Sequence, residues 1–124
     1  MDIKFTDREA DVMQILWDKG PSLVAEVQAS LADPLAHTTV LTVLRTLEAK
    51  GYVLHTAAGR SHRYYAAIAQ QLARKSALSH LTDKLFKGST EPLLTHMVAD
   101  KKLSAAQIRR MRELLAKQDH EEEP

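Results

Sequence analysis

Four threonines, Thr38, Thr39, Thr42 and Thr46, share one expected helix with Arg45, and Arg60 and Arg63 follow within "AAGRSHRYYA". That helix carries Glu48 and Lys50 only at its end. Surface helices usually present Glu, Lys and Gln, because β-branched threonine is a poor helix former. Short hydroxyl side chains let a helix lie close to a nucleic-acid duplex. Their oxygens can bond phosphates or base edges, and their methyl groups can touch thymine. A solvated helix of unusual composition would hold the same residues, so composition leaves both readings open.

Other chemistry finds less support. The serines occupy helix-cap or polar-face settings without a G-x-S-x-G elbow. The glycines stand singly, so there is no phosphate-cradling loop. No histidine pair has H-E-x-x-H spacing; His96 with Asp100, and His55 with His62 across a hairpin, are two-ligand pairs at most. Two ligands are too few for a metal site. The absence of cysteine removes disulfides, thiolate metal centres, iron–sulfur clusters and a thiol nucleophile together. The chain is not expected to be an enzyme, and no cofactor or metal is expected. Trp17 reads as a core anchor and Tyr64-Tyr65 as hairpin packing.

With 124 residues, 44% of them hydrophobic and 27% charged, the sequence has the profile of an ordinary globular protein of one compact domain or one small domain plus an oligomerisation segment. No apolar run reaches the length of about 20 residues that spans a bilayer. The opening "MDIKFTDREADV" is too acidic and interrupted for a signal peptide, so the cytoplasm is the expected location. Net charge is +1, but it is unevenly distributed. Residues 1–33 carry a net of −4, and residues 34–65 a net of +3 with His37, His55 and His62 besides. A local basic patch can engage phosphates; a solvated charged face would look the same.

The elements that position these residues are legible from periodicity. Thr6-Asp7-Arg8-Glu9 has the form of a capping box and opens a first helix through Ala10, Met13, Leu16 and Trp17. Gly20-Pro21 closes it. Ser22 is the expected N-cap of a second helix with a Leu23, Val24, Val27, Leu31 stripe, stopped by Asp33-Pro34. A third helix is expected from about Thr38 to Lys50, closed by Gly51. Val40, Val43, Leu44 and Leu47 form its inner face; Thr38, Thr42, Arg45 and Ala49 lie opposite, flanked by Leu41 and Thr46. "YVLHT" and "SHRYYA" around a Gly-containing loop then read as a β-hairpin with Arg60 and Arg63 at or beyond its tip. Three helices followed by a basic-tipped hairpin is the order of a winged helix-turn-helix, whose third helix enters the major groove.

From about Gln70 the pattern is helical to the end, in three amphipathic segments. The last opens on the capping box Ser104-Ala105-Ala106-Gln107 and ends in an acidic frayed tail, "DHEEEP". Three such helices give little mutual burial, and pairing with a second copy would cover them; folding back onto the N-terminal part is the alternative. The expected fold is therefore mostly α with a small β-hairpin wing. A winged helix-turn-helix domain spans 1–68 and a helical dimerisation domain spans 69–124.

"FTDREADVMQILWDKGP", "HTTVLTVLRTLEAKGYV" and "GRSHRYYA", continued by "KLFKGSTEPLL" and "LSAAQIRRMRELL", resemble the penicillinase-repressor (BlaI/MecI-type) family over nearly the whole chain. The resemblance implies a homodimeric repressor occupying a palindromic double-stranded DNA operator. It implies Thr38, Thr39, Leu41, Thr42 and Arg45 for the major-groove surface, and Arg60 and Arg63 for the wing. It also implies a membrane-bound sensor protease as inactivator, cutting in the first C-terminal helix. There this chain has His80-Leu81 in place of the family's Asn-Phe pair. The Cys-x-Cys pairs of copper-responsive relatives are missing. The competing reading is a winged-helix protein–protein interaction module without specific DNA binding.

Overall fold

The computed structural model describes residues 2–100 and 103–122. Nine elements follow in order: α1 (Asp7–Lys19), β1 (Ser22–Leu23), α2 (Val24–Ser30), α3 (His37–Ala49), β2 (Val53–Ala58), β3 (Ser61–Ala66), α4 (Gln70–Leu85), α5 (Thr90–Ala99) and α6 (Ala105–Glu122). The protein is mostly helical with one small antiparallel sheet. The chain divides into two compact units, 1–78 and 79–124, with the boundary inside α4.

In the first unit, α1 begins as its sequence dictates. The Glu9 amide donates to Thr6 Oγ1 at 3.2 Å and the Thr6 amide to Glu9 Oε1 at 2.8 Å, so two orphan donors of the helix start are satisfied reciprocally. Lys50 Nζ reaches both oxygens of the same carboxylate, at 2.9 and 2.8 Å, and so ties the start of α1 to the end of α3. Gly51, with φ +84°, takes the left-handed conformation that releases the chain from α3.

Ser22 does not cap α2. It lies buried in β1, its hydroxyl donating to the Gly20 carbonyl at 2.9 Å, and Leu23 is the N-cap, its amide donating to Glu26 Oε1 at 2.8 Å. The sheet thus has three strands, not two, in the order β1-β3-β2, with Ser22 opposite Tyr64 and Leu23 opposite Arg63. The two-residue strand exists because β3 offers it an edge. Between β2 and β3 the ladder runs from Val53↔Ala66 to Ala58↔Ser61, leaving Gly59 and Arg60 as the turn. Gly59 has φ +65°, as the first central position of a II′-type hairpin turn requires.

The core of this unit is Val12, Met13 and Leu16 of α1, Val27 of α2, Val40, Leu44 and Leu47 of α3, then Val53 and Tyr64 of the sheet. Trp17 packs against it half-buried, and its indole N–H donates to the Ile68 carbonyl at 3.0 Å. In the second unit Leu93 is buried, and Ser104 and Gln107 form the expected capping box at 2.8 and 3.2 Å. The acidic C-terminal segment begins as helix, since α6 continues to Glu122; Glu123 and Pro124 lie outside the described residues. Among the described residues, no helix is long and apolar enough to cross a membrane.

Candidate nucleic-acid interface

Helical periodicity splits α3 cleanly. Val40, Leu44 and Leu47 are fully buried, whereas His37, Thr38, Thr39, Thr42, Arg45 and Thr46 are exposed and Leu41 sits half-buried at the margin. The hydroxyl-rich side therefore faces solvent rather than neighbouring protein. Its hydroxyls are partly committed: Thr42 Oγ1 donates to the Thr38 carbonyl and Thr46 Oγ1 to the Thr42 carbonyl, each at 2.9 Å. Such back-bonding uses the donor and leaves the oxygen lone pairs and the methyl for an external partner.

Arg60 stands exposed in the hairpin turn, and it shares a cleft of about 320 Å³ with α3. Leu41 and Arg45 form one side, Arg60, Ser61 and His62 another, and His37 lies at the start of α3. Of the residues expected at the site, the fold brings Leu41, Arg45 and Arg60 together there. Thr38, Thr39 and Thr42 lie on the exposed helix surface and do not line the cleft. Arg63 is placed differently: it sits opposite Leu23 and its guanidinium meets Glu26 Oε1 at 3.2 Å.

The pairing of the cations separates them further. Lys4 meets Asp2, Arg8 meets Asp11 and Asp33, Lys50 meets Glu9 and Arg63 meets Glu26. Arg45 and Arg60 have no acidic partner among the described residues. Two guanidinium groups with unused donors thus border one cleft, which is the electrostatic provision for an external anion.

Sequence reasoning passed over His37 and His62 as lining residues. They flank Thr38 and Arg63 in the chain, and the basic stretch 34–65 already held both, but only the fold shows that they line the cleft. His55 and His62 do meet across the hairpin, as parallel rings 4.2 Å apart at 10°. His96 lies edge-on to Phe86 at 5.9 Å. Among the described residues no group of three or more His, Asp or Glu side chains is placed to hold a metal.

A helix-turn-helix whose third helix exposes a polar face beside a basic hairpin tip, on a three-stranded sheet, defines a winged-helix module of the class used by transcriptional regulators. The penicillinase repressor family model matches residues 5–117, and the chain belongs to that family. It is 34% identical over 96 residues to the transcriptional regulator BlaI of Mycobacterium tuberculosis (strains CDC 1551 / Oshkosh and ATCC 25618 / H37Rv), covering 74% of this chain and 70% of that protein. In fold it is similar to the transcriptional regulator Tm0710 of Thermotoga maritima, with TM-score 0.54 and 18% identity, covering 93% of this chain and 74% of that one. A MarR family protein of Bacillus stearothermophilus aligns with TM-score 0.53 and 18% identity, covering 96% and 76%. The protein is accordingly a transcriptional regulator and not an enzyme.

Proposed function

We propose that the protein represses transcription in the cytoplasm by binding, as a homodimer, a palindromic DNA operator. The observation that carries this reading is the pair Arg45 and Arg60, which have no acidic partner among the described residues and border one cleft between α3 and the wing. In this reading α3 enters the major groove. Thr38, Thr39, Leu41, Thr42 and Arg45 touch base edges and nearby backbone, and Arg60 neutralises a phosphate. Arg63 joins it only by releasing Glu26. Dimerisation is supported by the apolar side chains that the second unit leaves uncovered, among them Leu85, Val98, Leu114 and Leu115. A dimer presents two α3 helices to two half-sites, which is why the operator would be palindromic. The membrane sensor protease enters through the family alone; the corresponding spot lies near His80-Leu81, both exposed on α4, where the family's Asn-Phe pair is replaced.

The deciding experiment is a salt titration of binding to random-sequence duplex, followed by genome-wide mapping of bound sites. A DNA reader loses affinity steeply as salt rises, because bound counterions are released from phosphates. A flat salt response would favour a protein-interaction module instead. Mapped sites without an inverted repeat would remove the palindromic operator.

A further inference from the structure

Tyr64 anchors β3 in the core, but the tip of the wing carries little apolar packing. Beyond Val53, the side chains of Leu54, His55, Thr56 and Ala57 in β2 are all exposed. Beyond Arg63 toward the turn, β1 no longer pairs with β3 and the hairpin is a two-stranded ribbon, which is marginal alone, so something else must fix its tip relative to α3. One candidate is polar. Glu48, in the last turn of α3, meets His55 Nδ1 of β2 through Oε2 at 2.5 Å. The His55 ring in turn stacks on His62 of β3 at 4.2 Å, and both lean on Tyr64, which is only 2% exposed. His62 is two residues from Arg60 and lines the same cleft. The other strand has its own tie, Arg63 of β3 to Glu26 of α2. The wing is thus moored to two helices, one strand to each.

We propose that Glu48, His55 and His62 form a brace that positions Arg60 for its phosphate, a role that rests on the DNA-binding reading above. Glu48 is then a positioning residue and makes no contact with DNA. Simple electrostatics expects the reverse sign, because a carboxylate near a phosphate-binding surface repels the ligand and its removal should tighten binding. The brace and the bare charge therefore make opposite forecasts for the same substitution.

The test compares Glu48→Ala with Glu48→Gln, each with and without Arg60→Ala, in salt titrations on a random-sequence duplex. Alanine removes both the charge and the hydrogen bond, while glutamine removes the charge and keeps a partner for the imidazole. Glu48→Ala is expected to weaken binding roughly threefold to tenfold, the range of a displaced charge-assisted contact, and Glu48→Gln is expected to bind at least as tightly as the parent. On the Arg60→Ala background Glu48→Ala should cost nothing further, since the brace acts through Arg60. Two variants that behave alike, or a loss fully additive with Arg60→Ala, would overturn the brace. His55→Ala runs the same cycle if Glu48→Ala does not fold. Backbone relaxation of the Gly59 and Arg60 amides in the DNA-free protein separates the two proposals. Greater mobility in Glu48→Ala is expected even if the parent binds no DNA, and unchanged mobility would also overturn the brace.

Discussion

Lys50 Nζ lies 2.9 and 2.8 Å from the two carboxylate oxygens of Glu9, and those oxygens belong to a side chain of which only 5% is exposed. Burial pushes the Glu9 carboxyl up, but the Lys50 ammonium and the Thr6 amide and hydroxyl outweigh it and hold its pKa below the ordinary value. A carboxyl whose folded pKa is depressed stabilises the fold above its unfolded value. That contribution is lost as pH falls through the folded value. Urea unfolding should therefore show stability falling in the acid range, and Glu9→Gln should flatten that part of the profile. At neutral pH Lys50→Ala should cost about 1–2 kcal/mol, because it strands a buried carboxylate while solvent screens the half-exposed lysine. A Lys50→Ala variant as stable as the parent would show that the pair adds nothing to the fold.

Arg60 and Arg45 border one cleft but should fail differently. Arg60→Ala is expected to weaken binding to all sequences and to lower the salt slope by about one phosphate contact. Arg45→Ala should instead reduce discrimination between operator and random DNA, by about 1–3 kcal/mol for a lost base contact. Thr42→Ala should act in the same direction with less force, since its hydroxyl proton is already given to the Thr38 carbonyl. Equal loss on both DNAs for Arg45→Ala would remove α3 as the base-reading element.

Arg63 gives a contrasting case within the same hairpin. Its guanidinium is engaged by Glu26, whose Oε1 also accepts the Leu23 amide at the start of α2. Arg63→Ala should leave the salt slope closer to the parent than Arg60→Ala does. Glu26→Gln should free Arg63 and steepen the slope. A slope change for Arg63→Ala as large as that for Arg60→Ala would make Arg63 a direct phosphate contact.

These contrasts mark where the sequence could be read and where it could not. The Thr6–Glu9 and Ser104–Gln107 boxes were legible because donors and acceptors three residues apart decide them locally. The split of α3 into buried Val40, Leu44 and Leu47 and exposed threonines was legible because one period controls both faces. Ser22 was misread because an N-cap and the first residue of a strand share extended backbone. Only the distant Tyr64 decides between them. The partners of Arg63 and His55 were invisible for the same reason: Glu26 lies 37 residues from Arg63 and Glu48 lies 7 from His55, on different elements. Charge counts located the basic region, but only tertiary pairing distinguishes a committed arginine from a free one.

The C-terminal helices pose the last question. Leu114 and Leu115 are 59% and 61% exposed on α6, and Leu85 is 72% exposed on α4. In a monomer, Leu114→Glu would be an ordinary surface substitution worth within about ±0.5 kcal/mol. In a dimer that covers this face, it would place a carboxylate in an apolar interface at a cost of several kcal/mol. The expected result is that the parent sediments at twice the chain mass with a Tm that rises with concentration, while Leu114→Glu sediments as a single chain. The variant should keep its winged-helix unit, since Leu114 belongs to the other compact unit. It should retain weak, salt-dependent binding to random duplex yet lose the advantage of a two-half-site operator, because linking two weak contacts is what multiplies their affinity. A parent that sediments as one chain, with Leu114→Glu equally stable, would place the repressor on DNA as a monomer and leave these leucines for another partner.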